Sequence, residues 1–434
     1  MLAAVEGLTK IPELRRRILF TISLLAVYRI GCHIPVPGIN TETLSRFFQT
    51  NQGTLFGMLN MFSGRALENA SIFALGIMPY ISSSIIFQLL TVVWPYLNSL
   101  SKEGEAGRRK INQYTRYATV VLAMFQGFGI ASALMSAENA NFVLFPGVKF
   151  KLLSVITLAA GTSFIMWLGE QITDRGIGNG ISLIIFSGIS AGIPVSAKQT
   201  FQMVKDGQLT PIALVIIMAL MVLVIGVIIF LEQGQRRIAI QYAKRQVGRR
   251  LYGGQSTHLP LKINTSGVIP PIFASSLLMA PLTIITFLPP NPVSDAIRDV
   301  INHGSTLYYT AYVSLIVFFC FFYTAVVFNP EDVAENLKKH GGYVPGIRPG
   351  KNTSEYIDRV LSRITFGGAL YLALVCLLPD FLINKFKVSF FFGGTTLLIL
   401  VGVALDTVAQ IQTFLLTRDY EGFMKNANLR GRRG

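Results

Sequence analysis

The stretch IALVIIMALMVLVIGVIIFL, Ile212 to Leu231, runs for twenty residues without a charged residue or a proline. A helix of about 20 apolar residues is long enough to cross the roughly 30 Å hydrocarbon core of a bilayer. The 434-residue chain is 51% hydrophobic and only 14% charged, whereas a soluble domain carries about 25% charged residues. The sequence therefore predicts an all-α polytopic membrane protein and argues against a soluble one.

Hydropathy divides the chain into ten candidate spans. They cover residues 18–38, 71–94, 115–135, 152–172, 180–196, 211–232, 267–289, 307–328, 364–383 and 390–416. With the N-terminus placed in the cytoplasm, 28 of the 38 basic residues fall in cytoplasmic loops and tails, as the positive-inside rule requires. The net charge of +16 is then mainly an orientation signal, and we expect both termini to be cytoplasmic.

Ten spans divide into two halves of five, residues 1–197 and residues 198–434. Because each half holds an odd number of spans, the second half is inverted relative to the first. Inverted repeats place a substrate path at their interface, near the middle of the membrane. No obvious sequence repeat accompanies the division, so the pair of halves is an expectation from span counting alone.

The sequence offers no motif for catalysis or metal binding. Its four histidines are not spaced as metal ligands, and HExxH is absent. The stretch VPGIRPGKNT departs twice from a phosphate loop, because Pro345 stands at the first glycine position and Asn352 follows the lysine. Cys32, Cys320 and Cys376 lie in or beside apolar segments without a CxxC spacing, which predicts buried thiols. We expect no enzyme activity, no cofactor and no metal.

Asp406, in VGVALDTVAQIQTF, is the clear ionisable residue within the predicted spans. Such a residue is a functional candidate, because a charge inside the membrane is costly. One interpretation makes it the coupling site of a secondary transporter for a small solute, which is the alternative function. The other gives it a packing hydrogen bond to Thr407 or Gln410. We favour packing, because one acid without a basic partner makes a poor proton relay.

Two cytoplasmic loops, near 233–264 and 329–363, are longer than simple connectors. In the first, Ile238, Ile240 and Tyr242 alternate with other residues, which predicts a strand and therefore a projecting hairpin. Six basic residues within fifteen positions favour an anionic partner such as RNA phosphates or an acidic protein face, with lipid headgroups as the alternative. In the second loop, prolines and glycines stiffen a tip that presents Arg348.

The segment NMFSGRALENASIFALGIMPYISSSIIF, residues 60–87, begins with a piece too short to cross a bilayer. About ten helical residues, Met61 to Ala70, reach roughly 15 Å, which is half the hydrocarbon thickness. A non-spanning backbone at that depth must be lined by protein or water. The alternatives are a re-entrant piece with a hinge at Ser63-Gly64 and an interfacial helix lying flat on the outer leaflet.

Ten stretches, in order along these spans, carry a resemblance to a known family. They are YRIGCHIPVPGI, NMFSGRALENASIFALGIMPYISSSIIFQLL, EGEAGRRKINQYTRY, MWLGEQITDRGIGNGIS, GQRRIAIQYAKRQVGRR, QSTHLPLKIN, GVIPPIFASS, FFCFFYTAVVFNP, VPGIRPGKNTSEYI and FFGGTTLLI. Over nearly its whole length the chain resembles the SecY/Sec61-alpha family, the channel subunits of protein translocases. The outer loops at residues 136–150 and 290–306 resemble the family less, and we transfer nothing to them.

The resemblance implies ten transmembrane helices in two pseudo-symmetric inverted five-helix halves around an hourglass pore, with a short re-entrant plug helix. It implies a protein-conducting channel of the general secretory pathway in the bacterial cytoplasmic membrane. Such a channel passes unfolded polypeptides and releases hydrophobic segments sideways into lipid. The implied partners are SecE and SecG in a heterotrimer, the motor ATPase SecA, the ribosome, the translocated polypeptides and membrane lipids.

The resemblance also implies four groups of site residues. The plug comprises Met61, Phe62, Ser63, Gly64, Arg65, Ala66, Leu67, Glu68, Asn69 and Ala70. The pore ring comprises Ile77, Ile81, Ile185, Ile272 and Ile399. The lateral gate carries Ser82, Ser83, Ser84, Gln88 and Thr91 on one face and Thr265, Ser266, Ser275 and Ser276 on the other. The set that binds SecA and the ribosome comprises Arg236, Arg237, Lys244, Arg245, Arg249, Arg250 and Arg348.

Overall fold

A computed structural model describes most of the chain. The described residues are 12–50, 60, 63–136, 142–207, 210–242, 245–247, 250–252, 256–285, 306–386 and 394–430. Within them the structure is mainly helical, as the sequence predicts.

The described residues of the first half form seven helices. They are α1 (Pro12–Gly31), α2 (Thr41–Thr50), α3 (Met78–Val93), α4 (Pro95–Lys102), α5 (Glu105–Ser136), α6 (Val148–Arg175) and α7 (Gly180–Lys205). The first five predicted spans lie on α1, α3, α5, α6 and α7. Helix α7 continues nine residues beyond its predicted end at residue 196, with Pro194 inside it.

The described residues of the second half form six helices and five short strands. The helices are α8 (Pro211–Gln233), α9 (Ile269–Ile285), α10 (Thr306–Val327), α11 (Pro330–Lys339), α12 (Lys351–Phe386) and α13 (Gly394–Arg430). The strands are β1 (Gln235–Tyr242), β2 (Arg245–Val247), β3 (Arg250–Tyr252), β4 (Ser256–Lys262) and β5 (Gly342–Tyr343). The last five predicted spans lie on α8, α9, α10, α12 and α13.

Seven helical segments of the described chain are long and apolar enough to cross a membrane. Helices α3 and α4, bent by 97° between Val93 and Pro95, pass the same test as a pair. The other two predicted spans coincide with α1, which carries arginines at both ends, and with α9, whose apolar portion Ile269–Leu278 is short. All ten predicted spans therefore fall on helices.

Several helices begin at capping residues that the sequence supplies locally. The Asn179 side chain accepts hydrogen bonds from the backbone amides of Ile181 and Ser182 at the start of α7. The Thr210 side chain accepts one from the Ala213 amide, with proline in the first turn of α8. Such side chains satisfy amides that lack a partner inside the helix. The helix starts are therefore fixed by local chemistry as well as by membrane burial.

One large hydrophobic cluster contains residues from both halves, including Ile165 on α6 and Ile316 on α10, which are both fully buried. The halves meet where α3 packs against α9 and where α7 packs against α13. Cys32, Cys320 and Cys376 are buried thiols, as predicted.

A second connection between the halves lies at the turn between α6 and α7. The Ile177 amide donates to Thr21 Oγ1 of α1 at 3.1 Å, and the Gly178 amide donates to Gln410 Oε1 of α13 at 2.9 Å. The first and last spans are also joined directly, because the Arg17 guanidinium lies 5.2 Å from the centre of the Phe414 ring. Helices α1 and α13 thus hold the same turn, which we name the shared turn (residues 176–179).

The two long loops, near residues 233–264 and 329–363, form one structure. Strand β1 pairs antiparallel with β4, which confirms the predicted hairpin, and also with β5 from the second loop. The hydrophobic residues beneath this three-stranded sheet come from both loops and from α12: Ile238, Leu261, Val344 and Ile357. The second loop is therefore an element of the same rigid platform.

Candidate functional site

The five ring isoleucines lie in one hydrophobic cluster. Ile77, Ile81, Ile185 and Ile399 are buried, with at most 6% of their surface exposed, and Ile272 is half-buried against the same cluster. They come from the start of α3 and from α7, α9 and α13, so both halves contribute. Since the cluster has many other members, burial alone does not single out these five. Their role as a ring stays a prediction.

The plug segment differs in conformation from the predicted helix. Its described residues, 63–70, form consecutive turns, and Met61 and Phe62 lie outside the described residues. Gly64 and Arg65 both have φ of 67°, and Ala70 has φ of 45°. These left-handed values interrupt a right-handed helix. The predicted break at Ser63-Gly64 is present, and the segment continues as turns to Ile77.

The beginning of the plug segment is held by two adjacent residues of α1. The buried Tyr28 hydroxyl donates to the Ser63 carbonyl oxygen at 3.3 Å. Arg29 Nη1 donates to the Gly64 carbonyl oxygen at 3.0 Å. Both bonds use main-chain carbonyl groups. The Ser63 carbonyl oxygen also accepts from the Ala66 amide at 3.4 Å within the turns.

The third contact at this place is between two glycines. A Cβ atom added to Gly64 would lie 2.8 Å from the Cα atom of Gly188 on α7, and one added to Gly188 would lie 3.1 Å from the Cα atom of Gly64. The two backbones therefore touch directly, because neither residue has a side chain. We name Tyr28, Arg29 and Gly188 together the plug seat.

The far end of the plug segment is joined to the residues after α1. The Val36 amide donates to the Ala70 carbonyl oxygen at 2.8 Å, and the Ile72 amide donates to the Ile34 carbonyl oxygen at 2.9 Å. These bonds form a short antiparallel bridge. The plug segment is therefore hydrogen-bonded to α1 at its start and to the residues after α1 at its end.

The middle of the plug segment contains a buried carboxylate. Glu68 is 6% exposed and accepts hydrogen bonds from Arg65 at 2.8–3.0 Å, from Asn60 Nδ2 at 3.1 Å and from Ser45 Oγ of α2 at 3.3 Å. The Asn60 side-chain oxygen also accepts from the Glu68 amide at 2.9 Å. The sequence does not reveal this network, although the i, i+3 spacing of Arg65 and Glu68 is a signal for their pairing.

Replacing Arg65 by alanine should loosen the plug segment. With the plug segment in place, Glu68 would be a buried carboxylate without its cation, which costs free energy. Displacement of the segment would expose Glu68 to water and remove that cost. Breaking a buried pair costs about 3–5 kcal/mol, but the Arg65 side chain is 28% exposed, so we expect about 1–2 kcal/mol after solvent screening. Ion leakage through vesicles that contain the resting complex should then rise roughly fivefold to thirtyfold.

The control for this prediction is the double variant Arg65→Ala/Glu68→Ala, which removes the stranded carboxylate together with its partner. It should leak less than Arg65→Ala alone. Equal leakage from the single and double variants would mean that the ion pair does not hold the segment.

The polar residues of the predicted lateral gate bond within their own half. Five of these side chains form hydrogen bonds of 2.7–3.1 Å. Ser83, Thr91 and Ser275 donate to the carbonyl oxygens of Thr115, Gln88 and Ile272, respectively. Ser266 donates to the Asn264 side-chain oxygen, and the Thr265 and Thr324 hydroxyl groups bond each other. Among the described residues, Gln88 Oε1 on α3 and Ser276 Oγ on α9 are buried without a hydrogen-bond partner. The gate side chains therefore form no hydrogen bond with each other across the seam between α3 and α9 in the described part of the chain.

The predicted docking residues are only partly described. Arg236 and Arg237 are exposed at the start of β1, and Arg348 is exposed in the turn that follows β5. Arg245 and Arg250 lie on the paired strands β2 and β3, while Lys244 and Arg249 lie outside the described residues. Because β1 pairs with both β4 and β5, Arg236, Arg237 and Arg348 belong to one platform.

Asp406 is exposed on α13. The two residues expected to bond it have other partners, since Thr407 donates to the Val403 carbonyl and Gln410 accepts from the Gly178 amide. Over the described ranges, no three of the acidic, histidine and cysteine side chains are grouped so that they could hold a metal ion.

These features define a class: a multi-span membrane protein whose two halves share a buried aliphatic cluster and hold a short non-spanning segment against it. The SecY family model matches residues 71–408. The chain belongs to the SecY family, the channel subunits of protein translocases.

Curated relatives agree over nearly the full length. The protein translocase subunit SecY of Escherichia coli strain K12 is 52% identical over 423 residues, covering 96% of each chain. The SecY subunit of Vibrio cholerae is 52% identical over 435 residues, covering 99% of this chain and 97% of its own.

Solved structures share the fold at low sequence identity. A protein-conducting channel superposes with a TM-score of 0.64 at 17% identity, covering 94% of this chain and 96% of its own. A SecY protein, described as having a plug domain that stabilises the closed channel and maintains a membrane seal, gives 0.63 at 18% with the same coverage. Sec61 in a canine ribosome–channel complex gives 0.60 at 17%, again with that coverage.

Proposed function

We propose that this chain is the polypeptide-conducting channel of a bacterial translocase and that the five ring isoleucines form its waist. The observation that carries the proposal is that isoleucines from both halves lie in one cluster. One of them, Ile185, is about one helical turn before Gly188, which touches the plug segment. Branched aliphatic side chains are stiff, and a narrow gap lined by them excludes water. Their contacts are non-directional, so the same lining accommodates any passing sequence.

The plug segment closes the outer side of this waist when its first residues occupy the plug seat. Release of these first residues breaks two hydrogen bonds from α1 and the contact of Gly64 with Gly188. The small, buried side chains of Ala66 and Ala70 leave only small cavities behind. The plug domain described for a SecY structure supports this role.

Hydrophobic segments leave sideways where α3 meets α9. Because the gate side chains bond within their own halves, an entering apolar segment does not need to break a hydrogen bond between them. The unpaired Gln88 and Ser276 oxygens also lower the stability of the closed seam, since a buried polar group without a partner costs about 1–3 kcal/mol.

Partners supply the driving energy, since the family comprises channel subunits. The platform of β1, β4 and β5 presents Arg236, Arg237 and Arg348 to SecA or to ribosomal RNA, and ribosome-bound Sec61 and Ssh1 channels among the similar structures support the latter. SecE and SecG complete the complex. The chain lies in the bacterial cytoplasmic membrane with both termini in the cytoplasm, which agrees with its charge distribution and its bacterial relatives.

Reversing the charge at Arg348 tests the docking role. The variant Arg348→Glu should reduce SecA-driven translocation into vesicles at least about tenfold, because a like charge at an electrostatic interface costs several kcal/mol. Ion leakage through the resting complex should not change, since Arg348 is outside the spans.

The matched control is Lys149→Glu, which makes the same charge change at an exposed residue on the predicted outer side. It should translocate normally. If Arg348→Glu also translocates normally at low salt, where electrostatic contacts are strongest, the docking assignment fails.

A further inference from the structure

The plug seat binds the main chain and makes no use of a plug side chain. Tyr28 donates to one carbonyl oxygen and Arg29 donates to the next. The third wall, Gly188, lies against the Cα atom of Gly64. Tyr28 and Arg29 therefore recognise carbonyl oxygens, which every polypeptide backbone offers. The close approach to Gly188 is the one contact that requires glycine.

The seat also lies beside the proposed waist and therefore beside the route of a translocated chain. Gly188 follows Ile185 by three residues on α7, which is about 4.5 Å along the helix axis. A polypeptide that crosses the waist at Ile185 therefore passes within reach of the Arg29 guanidinium, a group with five donors.

Withdrawal of the plug segment takes the Ser63 and Gly64 carbonyl oxygens away from these two donors. A donor that loses its acceptor in a protected site is left at a cost in free energy until another acceptor binds. A translocated polypeptide supplies a carbonyl oxygen at every residue.

We propose that the plug seat is a binding site for the backbone of the translocated polypeptide, which replaces the plug's carbonyl groups at Tyr28 and Arg29 when the channel is open. The inference rests on the proposed channel function. The bound backbone slows the return of the plug segment and slows backward movement of the polypeptide.

The test is a backsliding measurement on the full complex in vesicles. A polypeptide with a folded domain at its end is stalled in the channel, so that the plug segment is already displaced, and its backward release is timed after ATP is removed. In the double variant Tyr28→Phe/Arg29→Met, release should be at least about fivefold faster, because both hydrogen bonds of the seat are lost. Arg29→Lys keeps a donor and should restore most of the retention.

Two substrates separate backbone recognition from charge recognition. One places a Gly-Ser stretch in the channel and the other places a Glu-rich stretch there. Backbone recognition requires a similar acceleration for both. Acceleration of the Glu-rich substrate alone would overturn the proposal, because Arg29 would then act on side-chain charge.

A control variant and the leak assay distinguish the remaining outcomes. Tyr371→Phe removes another buried tyrosine hydroxyl, one without a hydrogen-bond partner among the described residues, and should leave release unchanged. Unchanged release in the double variant with increased ion leakage would overturn the proposal and assign the seat to the plug alone. Failure of the unaltered complex to translocate either substrate would instead overturn the channel function.

Discussion

Ion leakage through the resting complex should rise at least about tenfold when Ile185 is replaced by asparagine, because a dewetted constriction loses its barrier once it offers hydrogen-bonding groups to water. Ile185 is 5% exposed and shares a cluster with the other ring isoleucines. An amide at this position would hydrogen-bond water at the proposed waist. Leakage is measured as the loss of a potassium gradient from vesicles that contain the purified complex.

The matched control is Ile184→Asn. Ile184 is 2% exposed on the same helix and belongs to the same cluster, but its side chain is rotated by about 100° from that of Ile185. Both variants bury an amide, so a general loss of packing would affect both. Equal leakage from the two variants would exclude a ring at Ile185.

The same assay separates the channel from the alternative transporter. A channel should tolerate Asp406→Asn, because the residue is exposed on α13 and is not among the proposed waist, plug or docking residues. Loss of activity in Asp406→Asn, combined with no leakage in Ile185→Asn, would favour a solute transporter.

Replacing Gly188 by leucine should displace the plug segment. Even the first atom of the new side chain would lie 3.1 Å from the Gly64 Cα atom, and backbone on the opposing side cannot rotate away as a flexible side chain could. Overpacking typically costs about 1–3 kcal/mol, which corresponds to a roughly fivefold to hundredfold increase in the displaced population. Leakage should rise by a similar factor.

A thiol provides a second readout of this displacement. Cys32 is fully buried, in a cluster that includes Ala66 of the plug segment, and its carbonyl oxygen accepts from Asn69. A membrane-impermeant maleimide added outside should therefore label Cys32 in Gly188→Leu and leave it unlabelled in the unaltered complex. The control is Gly192→Leu, one turn along α7, where an added Cβ atom meets nothing within 4 Å. Labelling of both variants, or of neither, would contradict the plug seat.

Sequence alone predicted the spans well, because a membrane requires long apolar helices and few alternatives exist. It predicted their ends less well. Helix α12 begins at Lys351, whereas its span was expected from residue 364. Such extensions lie outside the apolar segment, where hydropathy carries no signal and helix formation depends on local caps and packing.

The plug segment shows why its conformation was not predictable. A helix was expected there, but Arg65 and Ala70 adopt left-handed backbone angles that residues other than glycine rarely use. Tertiary contacts select those angles, because Arg29 and Val36 engage carbonyl groups that a helix would use internally. The pairing of β1 with β5 was not predictable from the sequence either, since the strands are about a hundred residues apart and β5 has only two residues.

The junction of α3 with α9 differs in kind from the junction at the shared turn. At α3 and α9 none of the described gate side chains bonds across the seam, and a hydrophobic segment can substitute for apolar packing at little cost, since lipid and protein are similarly apolar. At the shared turn, the Gly178 amide donates to Gln410 of the other half, and Arg17 contacts the Phe414 ring beside it. An apolar segment cannot replace either contact. We therefore expect a hydrophobic segment to separate α3 from α9 while the shared turn stays intact, so that the two halves remain joined during sideways release.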